Sequence, residues 1–221
     1  MTATAGGTAT QRTAIQRVAR DLHRRGLTHG RTGNLAVRAG DAVLVTPTGV
    51  SLADVEADAL SVVDLTGRHL DGPAPTKEAF LHVAVLRARP DAGAVVHTHS
   101  VYSAALSCLD GLDPEHPLPA LTAYYAMRVG ALRLLPYAAP GDPAATSAVE
   151  EAARHGGALL LRNHGPVVAG SDLDAALDAL EELEHTAQLY FITHGHRTAP
   201  LGPTQVAALT ARHPTGKAAS A

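Results

Sequence analysis

Two histidines separated by a single residue, His97 and His99, close a short apolar run that begins at residue 93. In a β-strand, the side chains of residues i and i+2 project from the same face, roughly 7 Å apart along the strand. A strand over residues 93–99 would therefore direct both imidazoles to one point at its carboxyl end. Because imidazole is the side chain that most often binds metals, the pair is a candidate for two ligands of a metal site.

A third histidine follows a second apolar run. Residues 158–161 predict a buried strand, and His164 comes three residues after it. Two strands that carry histidines at equivalent ends predict a three-imidazole site, since a catalytic zinc takes three protein ligands and keeps a position open for water or substrate. The alternative is a chance pattern that binds no metal. The other histidines are interpreted as solvated, except His82 and His185, which lie in predicted helices and are assigned no function.

Glu78 stands in the first turn of a helix predicted over residues 76–87. The helix dipole favours a carboxylate at this position, so ordinary helix-start chemistry is one interpretation of the residue. In the other interpretation, Glu78 is a general acid or base beside the metal, a role that a raised pKa would suit.

The same helix start and two nearby turns offer groups that can hold an anion. Free backbone N–H groups at a helix N-terminus bind phosphates, and turns with exposed amides form similar anion nests. Each of these short motifs is also a common turn sequence. The candidate anion-binding residues are Gly33, Asn34, Thr48, Gly49, Thr76 and Lys77.

These candidates are carried by short strands that alternate with helices, which indicates a single α/β domain. The domain is predicted to span residues 12–212, between a disordered tail at 1–11 and a flexible tail at 213–221. Residues 163–170 are interpreted as a loop. Helices are predicted over 13–26, 76–87, 100–109, 143–154, 173–193 and 203–211, and strands over 35–37, 43–45, 60–64, 93–99, 132–136 and 158–161.

The composition excludes several classes of protein. A formal net charge of −3 and 3% aromatic residues argue against nucleic-acid binding. A single cysteine, Cys108, excludes a disulfide framework. No apolar run approaches 20 residues and the N-terminus lacks the apolar centre of a signal peptide, so the expectation is a cytoplasmic protein without a membrane span.

Five motifs in order make the chain resemble the class II aldolase/adducin family over about residues 12–195. They are GNLAVR (33–38), TPTG (46–49), PTKE (75–78), VVHTH (95–99) and NHGPVVAG (163–170). The resemblance implies a single three-layer α/β/α domain with a central, largely antiparallel sheet. It also implies a homotetramer whose active sites lie at subunit interfaces.

The resemblance also implies roles for the candidate residues. His97, His99 and His164 would be ligands of Zn²⁺ or of another divalent metal, and Glu78 would be the catalytic carboxylate, which can also contact the metal. The anion-binding candidates would hold a substrate phosphate. Because every metal position is filled, the sequence disfavours the adducin-like branch, a binding module without the metal site.

Three longer stretches, 75–100, 107–143 and 163–170, look closest to the family's 3-oxo-tetronate 4-phosphate decarboxylases. The expected reaction forms dihydroxyacetone phosphate and CO₂ through a metal-bound enediolate. The alternative is an aldolase that cleaves a ketose 1-phosphate to dihydroxyacetone phosphate and an aldehyde. Lys77 weakens that alternative, since the aldolases usually have two small hydroxyl residues before the glutamate. A third hypothesis, from another class, is an inactive scaffold protein.

Overall fold

The computed structural model describes residues 7–212 of the chain. No helix in this part of the chain is both long and apolar enough to cross a membrane. Short 3₁₀ segments occupy Leu52–Asp54 and Pro143–Ala145, and a π-helical turn occupies Tyr125–Val129. The helices are α1 (Ala9–Arg24), α2 (Ala79–Ala88), α3 (Val101–Ser107), α4 (Thr146–His155), α5 (Leu173–Ile192) and α6 (Pro203–Arg212). The strands are β1 (Asn34–Ala39), β2 (Ala42–Val45), β3 (Ser61–Asp64), β4 (His69–Asp71), β5 (Ala94–His97), β6 (Leu132–Leu135), β7 (Ala158–Leu161) and β8 (Gly165–Gly170).

The strands form one eight-stranded sheet in the order β4-β3-β2-β1-β5-β8-β7-β6. Each neighbouring pair is antiparallel except β6 and β7, which run parallel. The expectation of a central, largely antiparallel sheet is confirmed.

Both faces of the sheet are covered by helices. Along β5, Ala94 and Val96 face one apolar cluster and Val95 faces the other, as the two-residue period of a strand requires. Helices α1, α3 and α5 pack on the first face, and α2 and α4 pack on the second. The predicted α/β/α layering is therefore confirmed.

The N-terminal boundary differs from the prediction of a disordered tail over residues 1–11. Helix α1 begins at Ala9, because Thr8 and Gln11 form a capping box. The Thr8 hydroxyl accepts from the Gln11 N–H at 3.1 Å, and the Gln11 side chain accepts from the Thr8 N–H at 2.9 Å. The tail prediction is thus wrong for residues 9–11, while residues 1–6 and the predicted tail at 213–221 lie outside the described part.

The predicted loop at 163–170 is wrong over residues 165–170, which form β8. This strand lies between β5 and β7 and pairs with both. Its sequence has only two β-branched residues, flanked by proline and glycines, so the local pattern indicates a loop. Tertiary packing explains the glycine at its start, because a Cβ on Gly165 would lie 2.3 Å from the Thr98 carbonyl oxygen. The short, exposed edge strand β4 was also not predicted.

The close approach of β8 to the end of β5 makes Gly165 sensitive to substitution. In Gly165→Ala the new methyl group must displace the backbone at Thr98 and His99, so we expect a loss of about 1–3 kcal/mol in the free energy of unfolding. Urea denaturation measures this loss. Gly202→Ala is the control, because its Cβ would meet only the Gln205 side chain at 3.6 Å. Equal stability of the Gly165→Ala variant and the wild type would contradict this account.

Candidate metal centre

Strands β5 and β7 deliver their histidines to the same edge of the sheet. Both are antiparallel to β8, so they run in the same direction and their carboxyl ends coincide. His97 is the last residue of β5. His164 lies in the tight turn between β7 and β8, where its N–H donates to the Leu161 carbonyl at 3.1 Å. Asn163 takes a left-handed backbone conformation in this turn, with φ 55°.

His99 lies beyond the strand that was predicted to carry it. Strand β5 ends at His97, and the following segment holds to β8 by a hydrogen bond from the Thr98 N–H to the Pro166 carbonyl at 3.3 Å. The Nε2 atoms of His97 and His99 are 3.2 Å apart, much less than the residue spacing along a strand. The two imidazoles converge because the chain leaves the strand between them.

The three imidazoles meet at one point. The Nε2 atoms of His99 and His164 are 3.0 Å apart, and the candidate ligand atoms of all three histidines lie within 4.8 Å of one another. Tetrahedral zinc with Zn–N distances of 2.0–2.1 Å places neighbouring nitrogens roughly 3.3 Å apart. The arrangement of donors therefore fits a divalent metal ion.

The protonation of the histidines suits the same purpose. Burial lowers the pKa of His97 to about 4 and that of His99 to about 4, and it also lowers the pKa of His164. The rings are therefore neutral near pH 7. In His97 the Nδ1–H donates to the Pro166 carbonyl at 2.8 Å, which leaves the Nε2 lone pair directed at the centre. Such an outer hydrogen bond orients metal-binding imidazoles in proteins.

Glu78 faces this cluster from the start of α2. Helix α2 begins at Ala79 rather than at the predicted residue 76, so Glu78 is its N-cap residue, and its side chain makes no capping hydrogen bond. Its Oε2 lies 3.4 Å from the Nε2 of His97, and its Oε1 lies 3.5 Å from the Nε2 of His164. A carboxylate in this position can contact a metal held by the histidines or exchange a proton with a substrate beside it.

The pKa of Glu78 does not move in the expected direction. Burial raises it, but the imidazole of His97, the hydrogen bond from Asn34 and the imidazole of His164 lower it further than burial raises it. The pKa is therefore below its ordinary value, and the expectation of a raised pKa is wrong. The carboxyl group is ionised when the site is at rest.

Asn34 connects Glu78 to a histidine that the sequence analysis left without a function. The Asn34 Nδ2 donates to the Glu78 Oε2 at 2.9 Å, and the Asn34 Oδ1 lies 2.5 Å from the Nε2 of His82. His82 is completely buried in α2. The sequence feature that could have identified His82 is its spacing of four residues from Glu78, since residues four apart share one side of a helix.

The loops predicted to bind phosphate lie side by side at this edge of the sheet. The Thr76 N–H donates to the Thr46 carbonyl at 3.1 Å, and the Thr48 N–H donates to the Ala74 carbonyl at 3.0 Å. The Thr46 hydroxyl in turn accepts from the Leu35 N–H at 3.2 Å, which connects both loops to the start of β1. The structure therefore brings the three predicted anion-binding motifs together.

The individual side chains in these motifs differ in their surroundings. Thr48, Gly49 and Lys77 are exposed, whereas Thr76 is buried and its hydroxyl accepts from the Glu78 N–H at 3.3 Å. Gly33 has φ 81°, and a Cβ there would lie 3.0 Å from the His97 carbonyl oxygen. The buried side chain of Asn34 faces Glu78 and His82, a role that the sequence analysis did not predict for it.

A cavity of about 290 Å³ opens beside Glu78 and His164. Its wall is mostly apolar and comes from the loop after β6 and from the start of α4. The lining includes Leu135, Pro136, Tyr137, Pro140, Ala144 and Val149. The cavity provides room next to the histidine cluster for part of a small substrate.

The remaining histidines agree with their interpretation as solvated. His29 is exposed, although its ring centroid lies 6.3 Å from that of His99. His185, which had been left open, is exposed on α5. His213 lies outside the described residues. The other exposed histidines are His23, His69, His116, His155, His194 and His196.

Comparison with known proteins agrees with the fold. Residues 13–191 match the family described as Class II Aldolase and Adducin N-terminal domain. A 3-oxo-tetronate 4-phosphate decarboxylase of Haemophilus influenzae is 46% identical over 197 residues, which are 89% of this chain and 94% of that protein. An L-fuculose phosphate aldolase of Escherichia coli is 35% identical over 174 residues, or 78% of this chain and 79% of the aldolase. The crystal structure of YgbL from Klebsiella pneumoniae superposes with a TM-score of 0.89 at 40% identity, covering 92% of this chain and 100% of YgbL.

The buried His82 predicts a specific pH dependence of stability. Burial, with a further contribution from His97, lowers the pKa of His82 to about 3, whereas a histidine in an unfolded chain titrates near about 6.5. Below pH 6.5 the unfolded chain binds a proton that the folded chain does not, so the free energy of unfolding falls as the pH falls. Between pH 7.5 and pH 5 the contribution of His82 to this fall is about 2 kcal/mol.

Urea denaturation of the metal-free protein at the two pH values measures this contribution. The side chain of a His82→Gln variant takes up no proton, so its loss of stability between pH 7.5 and pH 5 should be smaller than that of the wild type by about 2 kcal/mol. The same loss in both proteins would show that His82 is protonated in the folded state.

Proposed function

The chain belongs to the class II aldolase and adducin family, and we propose that it is a lyase that decarboxylates a 3-oxo-tetronate 4-phosphate to dihydroxyacetone phosphate and CO₂. The observation that carries the proposal is the cluster of three neutral imidazoles with Glu78 against it, in a chain 46% identical to a decarboxylase of that name. The same cluster argues against a scaffold protein, which has no need of convergent imidazole lone pairs.

The chemistry of the substrate defines what the site must do. In a 3-oxo acid, the bond between C1 and C2 breaks when its electron pair can move onto the oxygen of C3. Loss of CO₂ then leaves an enediolate across C2 and C3, and addition of one proton at C2 gives dihydroxyacetone phosphate. A divalent metal held by His97, His99 and His164 supplies a Lewis acid that stabilises negative charge on the substrate oxygens.

Glu78 supplies the proton at C2. Its carboxyl group is ionised at rest, so it first takes up a proton within the cycle, and the net reaction draws that proton from water. The Asn34 amide holds the carboxylate against the histidine cluster. Glu78 therefore acts as a general acid–base group whose position is set before the substrate binds.

The substrate phosphate is assigned to the loops beside β1. Exposed Lys77 supplies a positive charge there, and Thr48, Gly49 and Gly33 supply a hydroxyl and backbone groups. These local donors are needed because the net charge of the chain is −3 and does not attract an anion. A second phosphate contact comes from the turn that contains Thr76.

Zinc is the proposed metal, because neutral imidazoles suit it among the common divalent ions. We also propose a homotetramer with active sites at subunit interfaces, as the family resemblance implies. Val101, two residues after His99, supports this arrangement, since its apolar side chain is 67% exposed beside the site. The cytoplasm is the proposed location, because a phosphorylated acid does not cross a membrane unaided.

Aldol cleavage of a ketose 1-phosphate is the second candidate function. It is favoured by the 35% identity to an L-fuculose phosphate aldolase and by the apolar cavity beside Glu78, which has room for an aldehyde. The lower identity and the shorter coverage of this relative place it second. Both reactions use the same acid–base group. They differ in the group that leaves the carbon that becomes part of the enediolate: CO₂ in the decarboxylation and an aldehyde in the aldol cleavage.

A product assay with 3-oxo-tetronate 4-phosphates of both C2 configurations tests the proposal. We expect release of CO₂ and formation of dihydroxyacetone phosphate from one configuration, with activity lost on chelation of the metal and restored by Zn²⁺. Absence of CO₂ from both substrates, together with condensation of dihydroxyacetone phosphate with an aldehyde, would establish the aldolase. A purified chain that binds no metal and catalyses neither reaction would favour the scaffold protein.

The Glu78→Gln substitution separates proton transfer from metal binding. Glutamine keeps the size of the side chain but cannot carry the proton, so we expect turnover to fall by about 10²–10⁴-fold. Metal analysis of the variant should still find zinc, since the three imidazoles remain. Unchanged turnover in Glu78→Gln would remove Glu78 from the mechanism.

A further inference from the structure

We propose that His82 is a positioning residue: its Nε2–H holds the Asn34 amide in the orientation that donates to Glu78. The chain of contacts runs from His82 through Asn34 to the Glu78 carboxylate, with separations of 2.5 Å and 2.9 Å. His82 lies behind the site and acts on Glu78 only through Asn34. The inference rests on the proposed function only where turnover is the readout.

The donors and acceptors in this chain leave one consistent arrangement. An ionised carboxylate only accepts hydrogen bonds, so the Asn34 group that faces Glu78 must be the NH₂. The carbonyl oxygen of the amide then faces His82 and also only accepts. The Nε2 of His82 must therefore carry the proton of the ring.

The surroundings of His82 indicate that this one hydrogen bond is the reason for a histidine there. The ring is completely buried, and its low pKa of about 3 keeps it neutral with a single proton. Its Nδ1 has no hydrogen-bond partner among the described residues. The neighbours along α2, including Leu81, Val83 and Leu86, are buried and apolar. If packing were the only requirement, a leucine would meet it and would avoid an unpaired buried nitrogen, which costs about 1–3 kcal/mol.

The hydrogen bond matters because an amide can turn over. Without a donor at position 82, the contacts on that side of the Asn34 amide no longer favour one of its two orientations over the other. In the reversed orientation the Oδ1 of Asn34 would face the Glu78 carboxylate, and two acceptors would repel each other. The carboxylate would then lose the contact that holds it toward His97 and His164.

The tautomer of His82 is the first test, and it needs no variant. Long-range ¹H–¹⁵N correlation spectra of the metal-free protein distinguish a ring protonated at Nε2 from one protonated at Nδ1. A His82→Leu spectrum assigns the signal by its loss. We expect the Nε2–H form. The Nδ1–H form would overturn the proposal whether or not the protein is a decarboxylase.

Two variants of His82 provide the second test. His82→Leu removes the donor and keeps an apolar side chain, whereas His82→Gln restores an N–H that can donate to Asn34. In the folded Leu variant, we expect the Asn34 side-chain amide protons to exchange faster with water, and kcat to fall by about 10- to 100-fold with little change in KM. The Gln variant should recover most of both losses.

The matched control is His185→Gln, because His185 is an exposed histidine on α5. Its substitution should leave the Asn34 amide signals and kcat unchanged. Wild-type exchange of the Asn34 amide protons in His82→Leu would overturn the proposal. Equal losses in His82→Leu and His82→Gln would also overturn it, because they would indicate packing rather than hydrogen bonding. If the wild type shows no decarboxylation, the tautomer and amide-exchange results still decide the role of His82.

Discussion

The pairing of β8 with both β5 and β7 is the constraint on which the candidate metal centre depends. It makes β5 and β7 run in the same direction, so that His97 and His164 reach the same edge. The Pro166 carbonyl on β8 accepts both the Thr98 N–H and the His97 Nδ1–H. One backbone oxygen therefore orients an imidazole and holds the segment that leads to His99, and Gly165 leaves the space for that segment.

Burial and charge act together at this centre. Removing three imidazoles from water favours their neutral forms, which keeps their lone pairs free for a metal. Burial raises the pKa of Glu78, but the imidazoles of His97 and His164 and the Asn34 amide together lower it further, so its carboxyl group is ionised. The site thus offers neutral imidazole nitrogens and one negatively charged carboxylate to a cation. Among the described residues, no other buried charge contacts this cluster.

The sequence predicted the strands that carry the histidines better than it predicted the local path of the chain and the contacts around them. Apolar runs before His97 and before His164 located β5 and β7, because buried strands have a strong local pattern, and the end of β7 at Leu161 was predicted correctly. The path of the chain at His99 and the strand status of residues 165–170 could not be predicted, since both result from pairing with distant segments. His82 was missed for a related reason: its spacing of four residues from Glu78 does not by itself distinguish a packed ring from one that contacts Asn34 on a distant strand. The direction of the pKa shift of Glu78 also depends on neighbours that only the fold brings together.

The position of Glu78 at the N-cap of α2 has a consequence for the evolution of the protein. Its side chain turns toward the histidines and makes no capping hydrogen bond to its own helix. Serine, asparagine or aspartate is preferred at such a position because its oxygen caps the helix. Selection for a more thermostable protein would therefore favour replacing Glu78, whereas its proposed role in proton transfer would retain it. Under the proposed function, the start of α2 is less stable than a capped helix start would be, in exchange for a carboxylate beside the histidines.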